Sequence, residues 1–284
     1  MSDTAFQTQY RQEFIAGFEQ KQSLLRETVT TEAVIKGNTA VFLVADSGGA
    51  SAGTRGVNGL YPARSDNKTQ NSCILQEWAD LVRETNFNVF ASQGNHRDIM
   101  QGSTMGVLNR KIDELIINEL NTATNDTGAA GPGSVSLFQH ARVILGNNSV
   151  PWDSNVTLLC TPAFLAYLEQ APEFANAQYV NVRPYAGADD ASWRDKPMAY
   201  RWRNCLIIEH PNLPGKATSA EKVFMYHKSA IGHAANVKGL ETPVGFNEEQ
   251  NYSWALAVMY MGAKLLQNSG VAVINHDGSA YAAQ

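Results

Sequence analysis

His210, His227 and His233, the adjacent carboxylates Asp189 and Asp190, and Cys73, Cys160 and Cys205 are the side chains of this chain whose types could do chemistry. His227 and His233 flank Lys228-Ser229-Ala230-Ile231-Gly232, a spacing that matches no zinc-binding pattern, and His210 would join them only if the fold brought it near. Structural histidines with satisfied ring nitrogens are the simpler reading. Asp189 and Asp190 could pair as general acid and base, yet neighbouring carboxylates in a run of Gly, Ala and Ser are usually a solvated turn. The cysteines are far apart and each sits beside apolar residues, which favours buried reduced thiols over a disulfide or a metal site. Gly131-Pro132-Gly133 begins like a dinucleotide loop but lacks the third glycine and follows no strand pattern. No Gly-x-x-x-x-Gly-Lys-Ser/Thr, Gly-x-Ser-x-Gly or His-Glu-x-x-His segment occurs. No catalytic, cofactor-binding or metal-binding residue is assigned on these grounds.

The elements around these residues carry more information. From Asp46 to Asn71 the chain is rich in Gly, Ser, Ala and Asn. Loops beyond about 12–15 residues are uncommon in compact domains and are usually functional or disordered. The flanks look ordered: Glu32-Ala33-Val34-Ile35-Lys36, then Gly37-Asn38 with the positive φ of a tight hairpin turn, then Ala40-Val41-Phe42-Leu43-Val44. This reads as a projecting β-arm with a mobile tip. Ahead of it, Phe6, Tyr10, Phe14 and Phe18 recur every fourth residue, an aromatic stripe on a helix running to about Leu25.

After the arm, residues 72–92 alternate as strands do. Met105, Leu108, Ile112, Leu115, Ile116 and Leu120 then fall three or four apart, predicting a long amphipathic helix over 103–121, about 30 Å in length. Residues 125–134 are a cluster of helix and strand breakers. A short helix over 135–145 follows, then an apolar strand Val156-Thr157-Leu158-Leu159-Cys160, and a helix over 163–169 opened by Thr161 as N-cap and Pro162. Residues 181–204 read as loop, whereas 205–210, 223–227 and 270–274 read as strands. The stretch 253–266, apolar all round, fits a buried helix or a buried strand. Strand, turn and helix alternating in this way point to a mixed α/β region.

A chain of 284 residues with 44% hydrophobic and 17% charged residues can bury a sizeable core, which excludes a disordered protein. The net charge of −5 argues against a dedicated nucleic-acid binder and leaves room for weak contact through one face. No basic segment followed by an apolar one opens the chain, so no signal peptide is expected. The apolar run from Trp254 to Met261 is far short of the roughly 18 residues of a membrane span, so no membrane partner is expected.

Taken in order, these segments resemble the major capsid proteins of tailed bacteriophages of the Hong Kong 97 type. Val34-Ile35-Lys36-Gly37-Asn38-Thr39-Ala40-Val41-Phe42 resembles the first strands of the extended loop of that family, and Leu75-Gln76-Glu77-Trp78-Ala79 its return strand. Ala141-Arg142-Val143-Ile144-Leu145 through Val150-Pro151 to Thr161-Pro162 resembles the entry to the axial domain. Phe246-Asn247-Glu248-Glu249, Trp254, Gly262-Ala263-Lys264-Leu265-Leu266 and Gly270-Val271-Ala272-Val273 resemble the closing strands.

The resemblance implies an α+β capsid fold: N-terminal arm 1–30, extended loop 31–72, peripheral domain 73–150 with its spine helix at 103–121, axial domain 151–250, and a return to the peripheral domain over 251–284. It favours a strand over 253–266. It implies self-assembly, as hexamers and pentamers, into an icosahedral shell around double-stranded DNA held by weak non-specific contact. The virion is then the expected location and the bacterial cytoplasm the site of assembly. Because the arm starts almost at Met1, scaffolding is expected to be a separate protein, with a portal as a further partner. Phe6, Tyr10, Phe14, Phe18, Arg55, Tyr61, Arg64 and Lys68 are the residues expected at assembly interfaces. Covalent cross-linking occurs in some relatives; Lys36 and Lys68 lie in or near the arm, with no partner assignable.

Two rival readings differ in class. An encapsulin-like nanocompartment shell would share the fold and enclose protein in place of a genome, which DNA and a portal in purified particles would separate. A soluble α/β enzyme would bring Asp189, Asp190, His210, His227 and His233 together and behave as a small oligomer.

Overall fold

The computed structural model describes residues 22–34, 36–47, 49–85, 96–175, 180–184 and 198–281. The aromatic stripe Phe6, Tyr10, Phe14 and Phe18 and the pair Asp189 and Asp190 lie outside these residues. In chain order the strands are β1 (Thr30–Val34), β2 (Thr39–Asp46), β3 (Asn67–Ile74), β4 (Gln76–Thr85), β5 (Gly131–Pro132), β6 (Val156–Cys160), β7 (Val180–Pro184), β8 (Met198–Trp202), β9 (Cys205–Glu209), β10 (Glu221–His227), β11 (Ile231–Asn236), β12 (Val244–Asn247), β13 (Tyr252–Leu265) and β14 (Val271–Asp277). The helices are α1 (His96–Leu120), α2 (Val135–Asn147), α3 (Pro162–Gln170) and α4 (Pro172–Ala175). The chain divides into two compact units, one of residues 1–23, 77–111 and 238–260, the other of 24–76, 112–237 and 261–284.

The larger unit is built on a seven-stranded sheet in the order β5-β14-β10-β6-β9-β8-β7. Strand β6 is buried at all five positions. With side chains alternating across a strand, Val156, Leu158 and Cys160 point into one core with Phe138, Ala141 and Leu145 of α2 and Phe164, Leu165 and Leu168 of α3. Trp202 and Phe174 complete that core; the Trp202 ring lies 4.7 Å from Phe138 and 5.4 Å from Phe174. Both helices begin where side-chain chemistry allows. The Ser134 hydroxyl accepts from Leu137 N and the Thr161 hydroxyl from Phe164 N, and Pro162 occupies the first turn, where its missing N–H is not needed.

The other face of the sheet, carrying Thr157 and Tyr226, meets the N-terminal segment: Thr28 Oγ1 lies 2.6 Å from Tyr226 OH. It also meets the end of α1, where Lys222 Nζ donates to Asn121 Oδ1 at 2.8 Å. Helix α1 buries Met100, Thr104, Leu108, Ile112, Ile116 and Leu120, one residue every fourth position, which gives the helix one continuous buried stripe. It starts seven positions before the predicted 103, because the segment ahead of Met105 has too few apolar residues to reveal its periodicity.

Also in the larger unit, β1 pairs in parallel with β11 and β11 antiparallel with the end of β13, while β2 and β3 form an eight-position antiparallel ribbon. In the smaller unit, β12 pairs antiparallel with the first part of β13, and β4 also pairs with β13.

Three expectations change. Gly37 has the predicted positive φ, +96°, but the strands on either side of it do not form a hairpin with each other. A turn residue fixes the local chain path; partner choice follows the longer complementary edges of β11 and β3. Residues 181–204, expected as loop, contain β7 and β8, paired antiparallel from Val180↔Trp202 to Pro184↔Met198. Strand β11 escaped the sequence reading because Ile231-Gly232-His233-Ala234-Ala235-Asn236 is too small and too uniformly buried to alternate. The stretch 253–266, open between helix and strand on its own residues, is a strand, as the family resemblance favoured, with buried and half-buried positions alternating over most of its length.

Candidate assembly surface

The ribbon β2–β3 is seated at one end and open at the other. At its root Ala40, Phe42, Cys73 and Leu75 form a cluster with Ala234 of β11, flanked by Val34 and Leu266. Phe42 packs directly on β11 at Gly232, where an added Cβ would lie 2.8–3.0 Å from three atoms of the Phe42 ring. Gly262 of β13 is equally restricted, since a Cβ there would meet the Ile74 carbonyl at 2.6 Å. Asn71 Nδ2 donates to Leu266 O at 3.2 Å. Gly232→Ala is expected to push Phe42 off β11 and cost about 1–3 kcal/mol through overpacking, read as a lower denaturation midpoint; an unchanged midpoint would show that Phe42 can move without loss.

Beyond the root the ribbon exposes apolar side chains that a folded monomer has no use for. Leu43 is 80% exposed, and Val57, Leu60 and Tyr61 at the tip are exposed as well. A cleft of about 480 Å³ opens beside the ribbon, lined by Thr30, Glu32, residues 41–45, Ser229, Leu266 and Gln267. Strand β1 stands at the edge of its sheet on one side of this cleft and β2 on the other.

Among the described residues of the tip, 47 and 49–66, none is in a helix or strand, but the tip is tied locally. Arg64 Nη1 donates to the Ser47 carbonyl at 3.3 Å and its Nη2 lies 3.1 Å from Asp66, so the neck is bridged. Asn67 Nδ2 donates to Asp46 Oδ1 at 3.2 Å. The Arg55 guanidinium covers the Tyr61 ring at 4.7 Å. Gly56 N donates to Leu60 O and Gly59 N to Gly56 O, each at 2.9 Å, and Gly59 adopts φ +74°. Lys68 stands opposite Ala45 on the ribbon, exposed. Arg55, Tyr61, Arg64 and Lys68 are therefore all on the arm and at the surface.

The histidines do not converge. His210 Nε2 faces Asp113 Oδ2 at 3.4 Å, while its Nδ1 accepts from Asn212 N. His227 Nδ1 accepts from Ser229 N, and its Nε2 lies 3.3 Å from Asp153 Oδ1. Two hydrogen bonds from Asn155, and then the nearby His227, hold the Asp153 carboxyl below its ordinary range. His276, not singled out in the sequence, has Nδ1 2.9 Å from Glu221 Oε2, and the same oxygen accepts from Thr161 Oγ1 at 2.7 Å. Each of these contacts joins segments of the fold. Among the described residues no three His, Cys, Asp or Glu side chains are grouped to hold a metal. The three thiols are buried; burial pushes Cys73 up to about 11 and Cys160 and Cys205 further, so they stay protonated and unreactive at neutral pH.

His233 is 1% exposed, and burial, with the Arg26 charge adding to it, lowers its pKa to about 4. Above pH 6.5 neither the folded nor the unfolded chain protonates it and its contribution is constant. Between 6.5 and about 4 only the unfolded chain takes the proton, so stability falls as pH falls, by about 3 kcal/mol at most. Denaturant midpoints at pH 7 and 4.5 should differ less in His233→Asn than in the unaltered protein; equal pH slopes would remove His233 from the account.

No helix among the described residues is long and apolar enough to cross a membrane. A family model described as phage capsid protein matches residues 2–278. Comparison with curated protein sequences returns no match. Among solved structures, the chain resembles one of Mycobacterium phage Che8 with TM-score 0.71 and 14% identity, over 97% of this chain and 98% of that one. It resembles the Cyanophage Pam1 capsid asymmetric unit with TM-score 0.72 and 10% identity, over 98% of each chain. The capsid of Ralstonia phage GP4 aligns with TM-score 0.70 and 12% identity, over 97% and 96%. At these identities the likeness speaks to the fold, which is that of the Hong Kong 97-type capsids.

Proposed function

From the premise that this chain belongs to the phage capsid protein family, we propose that it is the major capsid protein of a tailed double-stranded DNA bacteriophage, assembling with copies of itself into an icosahedral shell. The observation that carries this is the β2–β3 ribbon: seated at its root by Phe42 and Cys73, yet displaying Leu43, Val57, Leu60 and Tyr61 to solvent. Such a surface is covered when many copies pack around closed symmetry, where modest contacts add up.

In this reading residues 1–30 are the N-terminal arm and 31–72 the extended loop. Residues 73–150 and 251–284 form the peripheral domain, and 151–250 the axial domain. Phe6, Tyr10, Phe14 and Phe18 would lie against a neighbouring subunit, as would Arg55, Tyr61, Arg64 and Lys68 on the arm. Hexamers and pentamers would build the shell, with a separate scaffolding protein and a portal, in the cytoplasm of a host bacterium. The packaged DNA would be held weakly, which suits a net charge of −5 and a genome that has to leave. The family is one of structural proteins, which supports reading the chain as a non-enzyme. The nanocompartment reading is less favoured because the matching family is defined by phage capsids.

Negative-stain electron microscopy of the purified protein with its sedimentation profile tests the proposal. Uniform polyhedral shells or tubes are expected. A homogeneous small oligomer under all assembly conditions would overturn it.

A further inference from the structure

We propose that Arg142 and Arg203 form a binding site for the phosphate backbone of double-stranded DNA; this deepens, and rests on, the reading of the chain as a shell around a genome. Arg142 is on α2, and its guanidinium lies 4.9 Å from the centroid of the Trp152 ring. The Trp152 indole N–H donates to the Arg203 carbonyl at 2.8 Å. The Arg203 guanidinium stacks at 4.7 Å on Trp202, whose ring is fully buried against Phe138. Arg201, one position before Trp202, lies on the opposite face of the sheet, where it donates to Ser154 O at 3.4 Å, and is not part of this site. Two arginines thus stand on one aromatic base that is part of the core.

Arg203 and Asn204 are the two turn residues of the β8–β9 hairpin, closed by Trp202↔Cys205, with φ +49° and +64°. A long side chain at the first of these positions is uncommon, because Gly, Asn or Asp adopts that conformation more easily. Here it sets the guanidinium against Trp202.

Among the described residues neither guanidinium is in an ion pair with a carboxylate. Arg203 is exposed and Arg142 half-buried. The stacked faces are used by the rings and the N–H edges remain for an anion. A planar guanidinium fork matches phosphate oxygens. Duplex DNA carries one charge per about 1.7 Å of axis, so it presents several anions to a fixed cluster at once. The contact would be independent of base sequence.

The test compares the unaltered protein with Arg142→Gln/Arg203→Gln for binding of a short random-sequence duplex across a salt series, with electron microscopy of assembly. The double Gln variant is expected to form shells and to lose tenfold or more in affinity at low salt, with the log–log salt slope shallower by about 1–2. Arg142→Lys/Arg203→Lys, which keeps charge and checks folding, should retain most of the salt slope. Intact shells with unchanged affinity and slope would overturn the site and leave the shell reading standing. A folded double Gln variant that no longer assembles, with DNA affinity unaltered, would assign the arginines to an acidic face of a second copy and overturn it too. Failure of the unaltered protein to form shells at all would overturn the shell reading first, before any arginine is changed, and the DNA site with it.

Discussion

Replacing residues 47–66 by Asn-Gly is expected to abolish shell formation while leaving a folded subunit. The cut lies between Asp46 and Asn67, which face each other at the last position of the β2–β3 ribbon. Asn-Gly provides the two positive φ angles that close such a hairpin. Nothing at the root is touched: Ala40, Phe42, Cys73 and Leu75 keep their contacts with Ala234. A shorter closed loop also costs less chain entropy, so the denaturation midpoint should hold or rise. What disappears is the exposed tip with Val57, Leu60, Tyr61, Arg55 and Arg64, the surface assigned to neighbouring subunits. Sedimentation should show only small species where the unaltered protein gives megadalton particles. Shells of normal size from the shortened chain would remove the tip from assembly.

Asp113→Ala should give the largest loss of subunit stability, about 3–5 kcal/mol, the range for stripping one partner from a buried charged network. The carboxylate is 1% exposed and accepts from Leu24 N at 3.1 Å and Leu25 N at 3.2 Å, with His210 Nε2 at 3.4 Å. Because His210 Nδ1 already accepts from Asn212 N, the neutral ring carries its proton on Nε2, directed at Asp113. Alanine leaves three buried donors without this acceptor. Asp113→Asn, which keeps one oxygen, should lose less. Urea denaturation gives the midpoint, and amide exchange at Leu24 and Leu25 should quicken in step. A loss below about 1 kcal/mol, the size of an ordinary hydrogen bond, would mean that the N-terminal segment is held mainly by Leu24 and Leu25 themselves.

These two sites differ in how visible they are in the sequence. The arm was legible because a long Gly- and Ser-rich run between apolar strands has a local signature. Asp113 was not, since nothing in Ile112-Asp113-Glu114 separates a buried acceptor from the solvated charge expected on an amphipathic helix. Its role depends on Leu24 and His210, far away in the chain. The same holds for Arg142 and Arg203, which come together only through Trp152. His276 and Glu221 likewise meet across β10 and β14.

By itself the sequence determined whatever is set within a few residues. The four-residue stripe of α1, the Thr161–Pro162 start of α3, the buried run of β6, the positive φ at Gly37 and the existence of the arm all follow from side-chain periodicity and backbone preference. Tertiary structure alone decided which edges pair, with β1 choosing β11 and β2 choosing β3, and that β7 and β8 are strands. It also scattered the histidines into separate structural contacts. The physical reason is that pairing and buried polar contacts are chosen by burial and hydrogen-bond satisfaction summed over distant segments, which local propensity does not encode.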